Sequence, residues 1–321
     1  MKGIQNVRVS NRKTDYRFEL HRNITIVRGD SGTGKTTLYD MINAYTRNGA
    51  QSGVQISSSK PCAALDDMDW KNQLGNTRDS IVFIDEGAKY VSTEEFAHEI
   101  KNTDNYYVIF IRETLHQLLY SVEEIYEIKT SKKYHTFSRL YKKNEAFVYS
   151  PDPGKSTGEF QTILTEDSKA GYTFYKHYLD GSGKTCVSAD GKSSIYRWLL
   201  DHKDHKVFVI ADGAAFGPEI EMIMHLRRKY PENITICLPE SFEWMILKSG
   251  LIKDDEVSDV LAEPSEYIES REFFSWEQFF THFLIQKTKN TYMAYSKREL
   301  SSFYTVHENA ERIAAVIALM I

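Results

Sequence analysis

The chain has 321 residues, 41% of them hydrophobic and 26% charged, with a formal net charge of −5. That length suggests two domains or one large one, and the hydrophobic share can bury a real core, which excludes disordered, collagen-like and low-complexity chains. The mildly acidic balance supplies no global basic field to draw the chain to nucleic acid or an anionic membrane, leaving only a local basic groove for such a partner.

In chain order, the first β-like runs are Val7-Arg8-Val9 and Tyr16–Leu20, followed by Asn23–Arg28 and a helical stretch over Thr37–Tyr45. Ser80–Ile84 and Tyr106–Ile111 are continuous apolar runs, as strands buried on both faces should be. Two Pro and two Gly among small polar residues between Tyr149 and Gly158 mark a linker. A second series of strands follows at Thr162–Thr165, Thr185–Ser188, Val207–Ala211 and Asn233–Leu238, with helices between them. From about Leu247 the chain reads as helical and rich in aromatic residues. The pattern predicts an α/β protein with a mainly parallel sheet in each half. Residues 1–148 form the first domain, 149–160 the linker, and 161–321 a second domain with C-terminal helices.

Cys62, Cys186 and Cys237 lie far apart without CxxC spacing, which excludes a disulfide framework or zinc ribbon and predicts buried thiols in a reducing cytoplasm. No apolar run reaches the roughly 18 residues of a membrane span, and the first residues lack the apolar block of a signal peptide. The closing run Ile313–Ile321 reads as the buried end of a final helix.

Gly29-Asp30-Ser31-Gly32-Thr33-Gly34-Lys35-Thr36-Thr37 fits G-x-x-x-x-G-K-[ST] without mismatch, between a strand and a helix. Gly29, Gly32 and Gly34 let the backbone curl into a nest of N–H donors. The following helix points its positive end at the phosphates. Lys35 would bridge the β- and γ-phosphates, Thr36 would offer its hydroxyl to Mg²⁺, and Ser31, Thr33 and Thr37 complete the cradle. The partner motif is Ile81–Ile84 running into Asp85-Glu86-Gly87. Asp85 would hold Mg²⁺ through water, and Glu86 would orient or deprotonate the attacking water. Arg112, at the tip of the next strand, is either a γ-phosphate sensor or a solvated charge.

These residues resemble the P-loop NTPases, in the division carrying a catalytic glutamate after the second acidic motif, over roughly residues 1–148. The opening strands look like the β-meander before the phosphate loop in ABC-type and SMC-like ATPases. The LSGGQ-like signature and the long helical insertion of those proteins are missing, which implies a minimal core. The resemblance implies bound ATP and Mg²⁺, and ATP over GTP because no N-K-x-D follows. P-loop ATPases of this kind often complete the site with a neighbouring subunit, so a homo-oligomer is one arrangement the resemblance allows, while the sequence itself leaves the oligomeric state open.

In the second half, Glu166 ends one strand and Asp212 another, an arrangement that often builds a Mg²⁺ site. Together with the turn Gly191-Lys192-Ser193, the order looks like a Toprim domain, as in the overcoming-lysogenization-defect nucleases and topoisomerases. Asp167, Ala170 and Ala214 stand where that pattern has Gly, Asp and Asp, so a metal ligand is missing; Glu219, Glu240 or Glu243 could replace it. Gly181–Thr185 resembles a second phosphate loop, but a strand follows it, so it reads as a turn. Phe273–Phe283 reads as helix packing in the core or at an oligomer face, and Lys287–Lys297 as a modest solvated basic patch. Four functions fit: an ATPase whose nucleotide state switches the second domain, an ATP-regulated metal-dependent nuclease, a small-molecule kinase, and a nucleotide-gated interaction protein. The kinase ranks last, because no lid segment lies between residues 86 and 148.

Overall fold

A computed structural model describes residues 1–30, 32–142, 148–149 and 159–319, the pair 148–149 by backbone alone. Ser31 of the glycine-rich loop and residues 150–158 of the expected linker lie outside the described residues. The chain divides into two compact units, Met1–Tyr141 with Glu263–Phe274 and Lys142–Ala262 with Ser275–Ile321. Residues 263–274 are tied into the first unit by backbone and side chain. The Gly3 N–H donates to the Ser265 carbonyl at 2.7 Å, and Asn23 Nδ2 donates to the Phe274 carbonyl at 2.9 Å.

The first unit runs β1 (Gln5–Ser10), β2 (Asp15–Leu20), β3 (Ile24–Val27), α1 (Lys35–Asn48), β4 (Gln55–Ser58), β5 (Cys62–Ala64), α2 (Trp70–Asn76), β6 (Ile81–Ile84), α3 (Glu94–Glu99), β7 (Tyr106–Phe110), β8 (Ile125–Ser131) and β9 (Tyr134–Arg139). Among the described residues its sheet has the order β4-β1-β2-β9-β8-β3-β7-β6-β5. The five strands from β8 to β5 pair in parallel. The sheet is nevertheless mixed, where a mainly parallel one was expected. β1–β2 and β8–β9 are hairpins, whose short turns force antiparallel pairing. Composition follows this division. β6 (IVFI) and β7 (YYVIF) are buried at every position, as strands covered on both faces must be. β1 alternates buried and exposed residues over most of its length, the signature of a sheet with one wet face. Leu38 and Ile42 of α1 pack with Phe83, Val108 and Phe110 in one core.

The second unit runs β10 (Val148–Tyr149), β11 (Thr162–Thr165), α4 (Ala170–Tyr178), β12 (Thr185–Ser188), α5 (Ile195–Asp201), β13 (Val207–Ile210), α6 (Gly217–Lys229), β14 (Ile234–Cys237), α7 (Phe242–Lys248) and α8 (Asp255–Ala262). The short α9 (Pro264–Tyr267) belongs to the returning segment, after which α10 (Trp276–Thr288) and α11 (His307–Ala315) complete this unit. Strands β12-β11-β13-β14 form a parallel sheet, with β10 antiparallel on β14. The chain leaves β11 toward β12 and then crosses back to β13, so the strand order reverses between β11 and β13. In open α/β sheets ligand crevices form at such a reversal, outside the carboxyl ends of the strands.

Residues 181–184 form a turn leading into β12. Ser275 and Gln278 close a capping box at the start of α10, whose Phe279, Phe280, Phe283 and Leu284 are buried. The final apolar run is buried at Ile317 and Leu319, but the helix ends at Ala315, and Ala318 takes a left-handed φ of 53°. The three cysteines are free, and burial pushes the Cys62 and Cys186 thiols up to about 12. Among the described residues no helix is long and apolar enough to cross a membrane.

Gly213 fixes how closely the ends of β13 and β14 approach. A Cβ there would lie 2.7 Å from the Leu238 carbonyl oxygen and 2.9 Å from that of Pro239. The neighbours are backbone atoms, which cannot swing aside. Gly213→Ala is expected to destabilise the protein by about 1–3 kcal/mol, read as a lowered Tm. A wild-type Tm would show that the strand ends are not held at this distance.

Candidate functional site

Strands β3, β7 and β6 lie side by side in parallel, so their carboxyl ends share one edge. The glycine-rich loop follows β3, Asp85-Glu86 follows β6, and Arg112 lies just past β7. Gly34 takes φ 99° immediately before α1. A Cβ there would lie 2.8 Å from Tyr16 Oη, which donates to the Gly34 carbonyl at 3.0 Å. Backbone conformation and close approach both require glycine here. No side chain caps the first turn of α1, so its N–H groups remain available to an anion. A cavity of about 300 Å³ opens at this edge, lined by loop residues 32–37 with Glu86 and Arg112.

Charge is concentrated on one side of that cavity. The buried Lys35 ammonium donates to the carbonyls of Gly29 and Asp30 and lies 3.6 Å from Glu86 Oε2. Arg112 donates from Nε at 3.0 Å and Nη2 at 2.5 Å to Glu86 Oε1. Arg112, whose side chain is 63% exposed, thus pairs with a carboxylate at the mouth of the cavity. Its hydrogen bonds hold Glu86 below its ordinary pKa against the opposing effect of burial, and Lys35 adds to the lowering. Asp85 Oδ1 and Glu86 Oε2 are buried without a hydrogen-bond partner. Such atoms are costly unless a further group satisfies them.

The structure thus brings Gly32, Thr33, Gly34, Lys35, Thr36, Thr37, Glu86 and Arg112 around one cavity. Gly29 touches it through Lys35, and Asp85 sits at the end of β6 without lining it. Sequence reasoning missed the far wall, made by Thr14, Tyr16, Thr130 and His135 of the two hairpins. Tyr16 and His135 stack at 4.3 Å. The β2–β9 register sets them opposite each other, a pairing between distant segments that motif spacing does not signal.

In the second unit Glu166 and Asp212 follow β11 and β13, at the reversal of strand order. The Asp212 N–H donates to Glu166 Oε2 at 3.4 Å. Both line a cavity of about 40 Å³ together with Glu243, Tyr295 and Lys297. Tyr295 Oη donates to Glu243 Oε1 at 2.7 Å, while Glu243 Oε2 is buried without a hydrogen bond. Lys297 Nζ donates to Glu277 at 2.6 Å and lies 3.7 Å from Glu243. Of the three carboxylates considered as replacements for the missing ligand, only Glu243 lines the cavity. Lys192, from the Gly191-Lys192-Ser193 turn, donates to the Ala215 carbonyl at 2.8 Å.

Lys297 was expected on a solvated basic patch and instead lies among carboxylates. Lys287 of that patch is likewise bound to Asp254 at 2.8 Å and Glu256 at 2.6 Å. Glu277 and Lys297 carried no readable signal, because they come from a helix start and a loop that only the tertiary fold brings to β11 and β13. Among the described residues no group of three or more His, Cys, Asp or Glu side chains is arranged to hold a metal ion.

Burial dominates the protonation of this cluster. It pushes Asp212 well above its ordinary value, with Glu277 and Glu166 adding to the rise and Lys297 opposing it. Burial also lifts Glu166 from 4.5 to about 7, helped by Glu277 and opposed by Lys192. The Lys297 ammonium is lowered by burial, but Glu243, Asp212 and Glu277 outweigh this and raise it.

No protein-family model matches the chain, and no curated protein is significantly similar to it.

A carboxylic acid whose pKa is raised on folding binds its proton more tightly in the folded state. Its contribution to stability is complete below the unfolded value and falls as pH rises toward the folded one. Stability is expected to decline between about pH 4.5 and 7, the ordinary and folded values of Glu166. Glu166→Gln should flatten that decline in denaturant melts across this range. An unchanged slope would show that Glu166 is not the group responsible.

Proposed function

We propose that the first unit is a P-loop NTPase core that binds and hydrolyses ATP with Mg²⁺, and that its nucleotide state regulates the second unit, a Toprim-like effector or interaction module. One observation carries the reading: the glycine-rich loop, the acidic pair and Arg112 converge at the ends of three adjacent strands, with Asp85 Oδ1 buried there without a hydrogen-bond partner and Glu86 Oε2 held only by the Lys35 ion pair. Such a donor set fits a phosphate–Mg²⁺ group. Bound Mg²⁺ would neutralise charge on the phosphate oxygens. The N–H groups of Gly32, Gly34 and the first turn of α1 would bind those oxygens, and Lys35 would move onto them from the loop carbonyls. Thr36 would offer its hydroxyl to the metal, with Asp85 holding it through water.

The Arg112–Glu86 clamp adds a switch to this chemistry. While clamped, Glu86 is a weak base, because the guanidinium stabilises its carboxylate. A γ-phosphate competes for Arg112, since guanidinium binds phosphate oxygens as well as carboxylate. Transfer of Arg112 to the phosphate would release Glu86 to take a proton from the attacking water, and would set Arg112 against the charge developing on the phosphate.

Regulation of the second unit is supported by connectivity. The chain passes between the units at 141–142, 262–263 and 274–275, so three covalent connections link them.

A second reading, an ATP-regulated metal-dependent nuclease, is favoured by Glu166, Asp212 and Glu243 around one cavity. Lys297 argues against it, because it already supplies positive charge to that cluster. Incubation with DNA, RNA and tRNA in Mg²⁺ or Mn²⁺ separates the two. No cleavage is expected, and cleavage lost in the Glu166→Gln, Asp212→Asn double variant would establish the nuclease.

ATP binding by calorimetry and phosphate release test the first unit. Lys35→Ala is expected to lose binding. Glu86→Gln should keep binding and lose hydrolysis. Arg112→Ala should keep most binding and lose hydrolysis on the order of a hundredfold. Unchanged binding by Lys35→Ala would overturn the site assignment, and full hydrolysis by Arg112→Ala would overturn the switch.

A further inference from the structure

The two hairpins of the first unit turn Thr14, Tyr16, Thr130 and His135 toward the proposed ATP cavity, and the exposed charged residues of their turns have no part in that site. The β1–β2 and β8–β9 turns lie side by side at one outer edge: the Asp15 N–H donates to the Lys133 carbonyl at 2.8 Å, and Asp15 pairs with Tyr134 in the β2–β9 register. Residues 8–17 and 132–134 carry six cations, Arg8, Arg12, Lys13, Arg17, Lys132 and Lys133, all exposed, against one carboxylate, Asp15. This concentration stands in a chain whose net charge is −5.

Several of these groups are pre-positioned. Arg8 and Arg17 face each other across the β1–β2 ladder, a like-charge pair that costs stability unless compensated. The buried Asp15 carboxylate compensates it, accepting two hydrogen bonds from Arg8, at 3.0 and 2.8 Å, and two from Arg17, at 3.2 and 2.9 Å. One carboxylate thus fixes two guanidiniums that keep a net positive charge and further donors. Arg17 lies 5.7 Å and Lys133 5.4 Å from the centre of the Tyr134 ring, which is 46% exposed. Lys132 occupies a turn position with φ 58°, where glycine would be less strained.

We propose that this edge is a nucleic-acid-binding surface that takes the phosphate backbone of a single strand, with a base stacked on Tyr134. Fixed cations flanking an exposed ring are the chemistry that holds single strands without sequence preference. An anionic bilayer is a poorer match, because interfacial binding needs an apolar face, and Tyr134 is the sole aromatic among the exposed residues of these two turns.

The test is fluorescence anisotropy with labelled single-stranded and duplex oligonucleotides, without added nucleotide, from about 50 to 200 mM salt. Wild type should bind the single strand more tightly than the duplex, with affinity falling steeply as salt rises. Lys132→Glu with Lys133→Glu should weaken binding about tenfold or more and flatten the salt dependence. Tyr134→Ala should weaken single-strand binding about fivefold or more and leave duplex binding nearly unchanged. Lys132→Gly, which relieves the left-handed backbone, should match or exceed the wild-type Tm and still weaken binding about twofold. Lys248→Glu in the second unit should bind like wild type. The proposal is overturned if wild type shows no saturable binding, or if charge reversal at folded Lys132 and Lys133 leaves affinity unchanged. It is equally overturned if phosphatidylserine vesicles compete as well as the oligonucleotide and Tyr134→Ala has no effect.

Discussion

A strand buried on both faces has no side on which to carry a charge. In both units this constraint sends the polar chemistry to the strand ends. β3, β6 and β7 are wholly apolar or nearly so, and the glycine-rich loop, Asp85-Glu86 and Arg112 begin within a few residues of their last buried positions. β11 and β13 obey the same rule, with Glu166 one residue and Asp212 two residues beyond their ends. Parallel pairing aligns those ends at one edge, so groups distant in sequence meet without any dedicated contact to draw them together. Gly213 and Gly34 are needed because backbones and side chains crowd where so many ends converge.

That constraint also decided what could be read in advance. The long apolar runs at 80–84, 106–111 and 207–211 announced their strands, because full burial demands a composition that little else produces. The glycine-rich loop was legible because its conformation requires specific residues at specific spacing. β4, β5, β8 and β9 were not legible. β4 and β5 are short and partly exposed, and β8 and β9 mix charged and apolar residues because one face of their hairpin meets solvent. Without β4, β8 and β9 the antiparallel β4–β1 and β8–β9 pairings that make the first sheet mixed went unseen. The far wall of the cavity in the first unit was lost with them, since Thr130 and His135 lie on β8 and β9.

The buried cluster of the second unit was half legible. Glu166 and Asp212 stand at strand ends and so carried a positional signal. Glu277 and Lys297 did not, since a charged residue in a helix or loop usually faces water. Their place beside Glu243 and Asp212 is a matter of tertiary fold alone, and both side chains stay partly exposed. An ion pair whose two side chains stay partly exposed, as those of Lys297 and Glu277 do, adds little to stability. The Lys297–Glu277 pair and the Tyr295–Glu243 hydrogen bond therefore make better sense as devices that fix one arrangement of α7, α10 and the following loop than as sources of stability.

The return of residues 263–274 to the first unit bears on how such a chain can be recombined. The Gly3–Ser265 and Asn23–Phe274 hydrogen bonds join the opening strands to a segment encoded far downstream. No single crossover between genes could exchange one unit whole for a homologous one, because any one breakpoint leaves part of a unit with its old partner. Exchanging the first unit whole would take at least two further breakpoints, one on each side of residues 263–274.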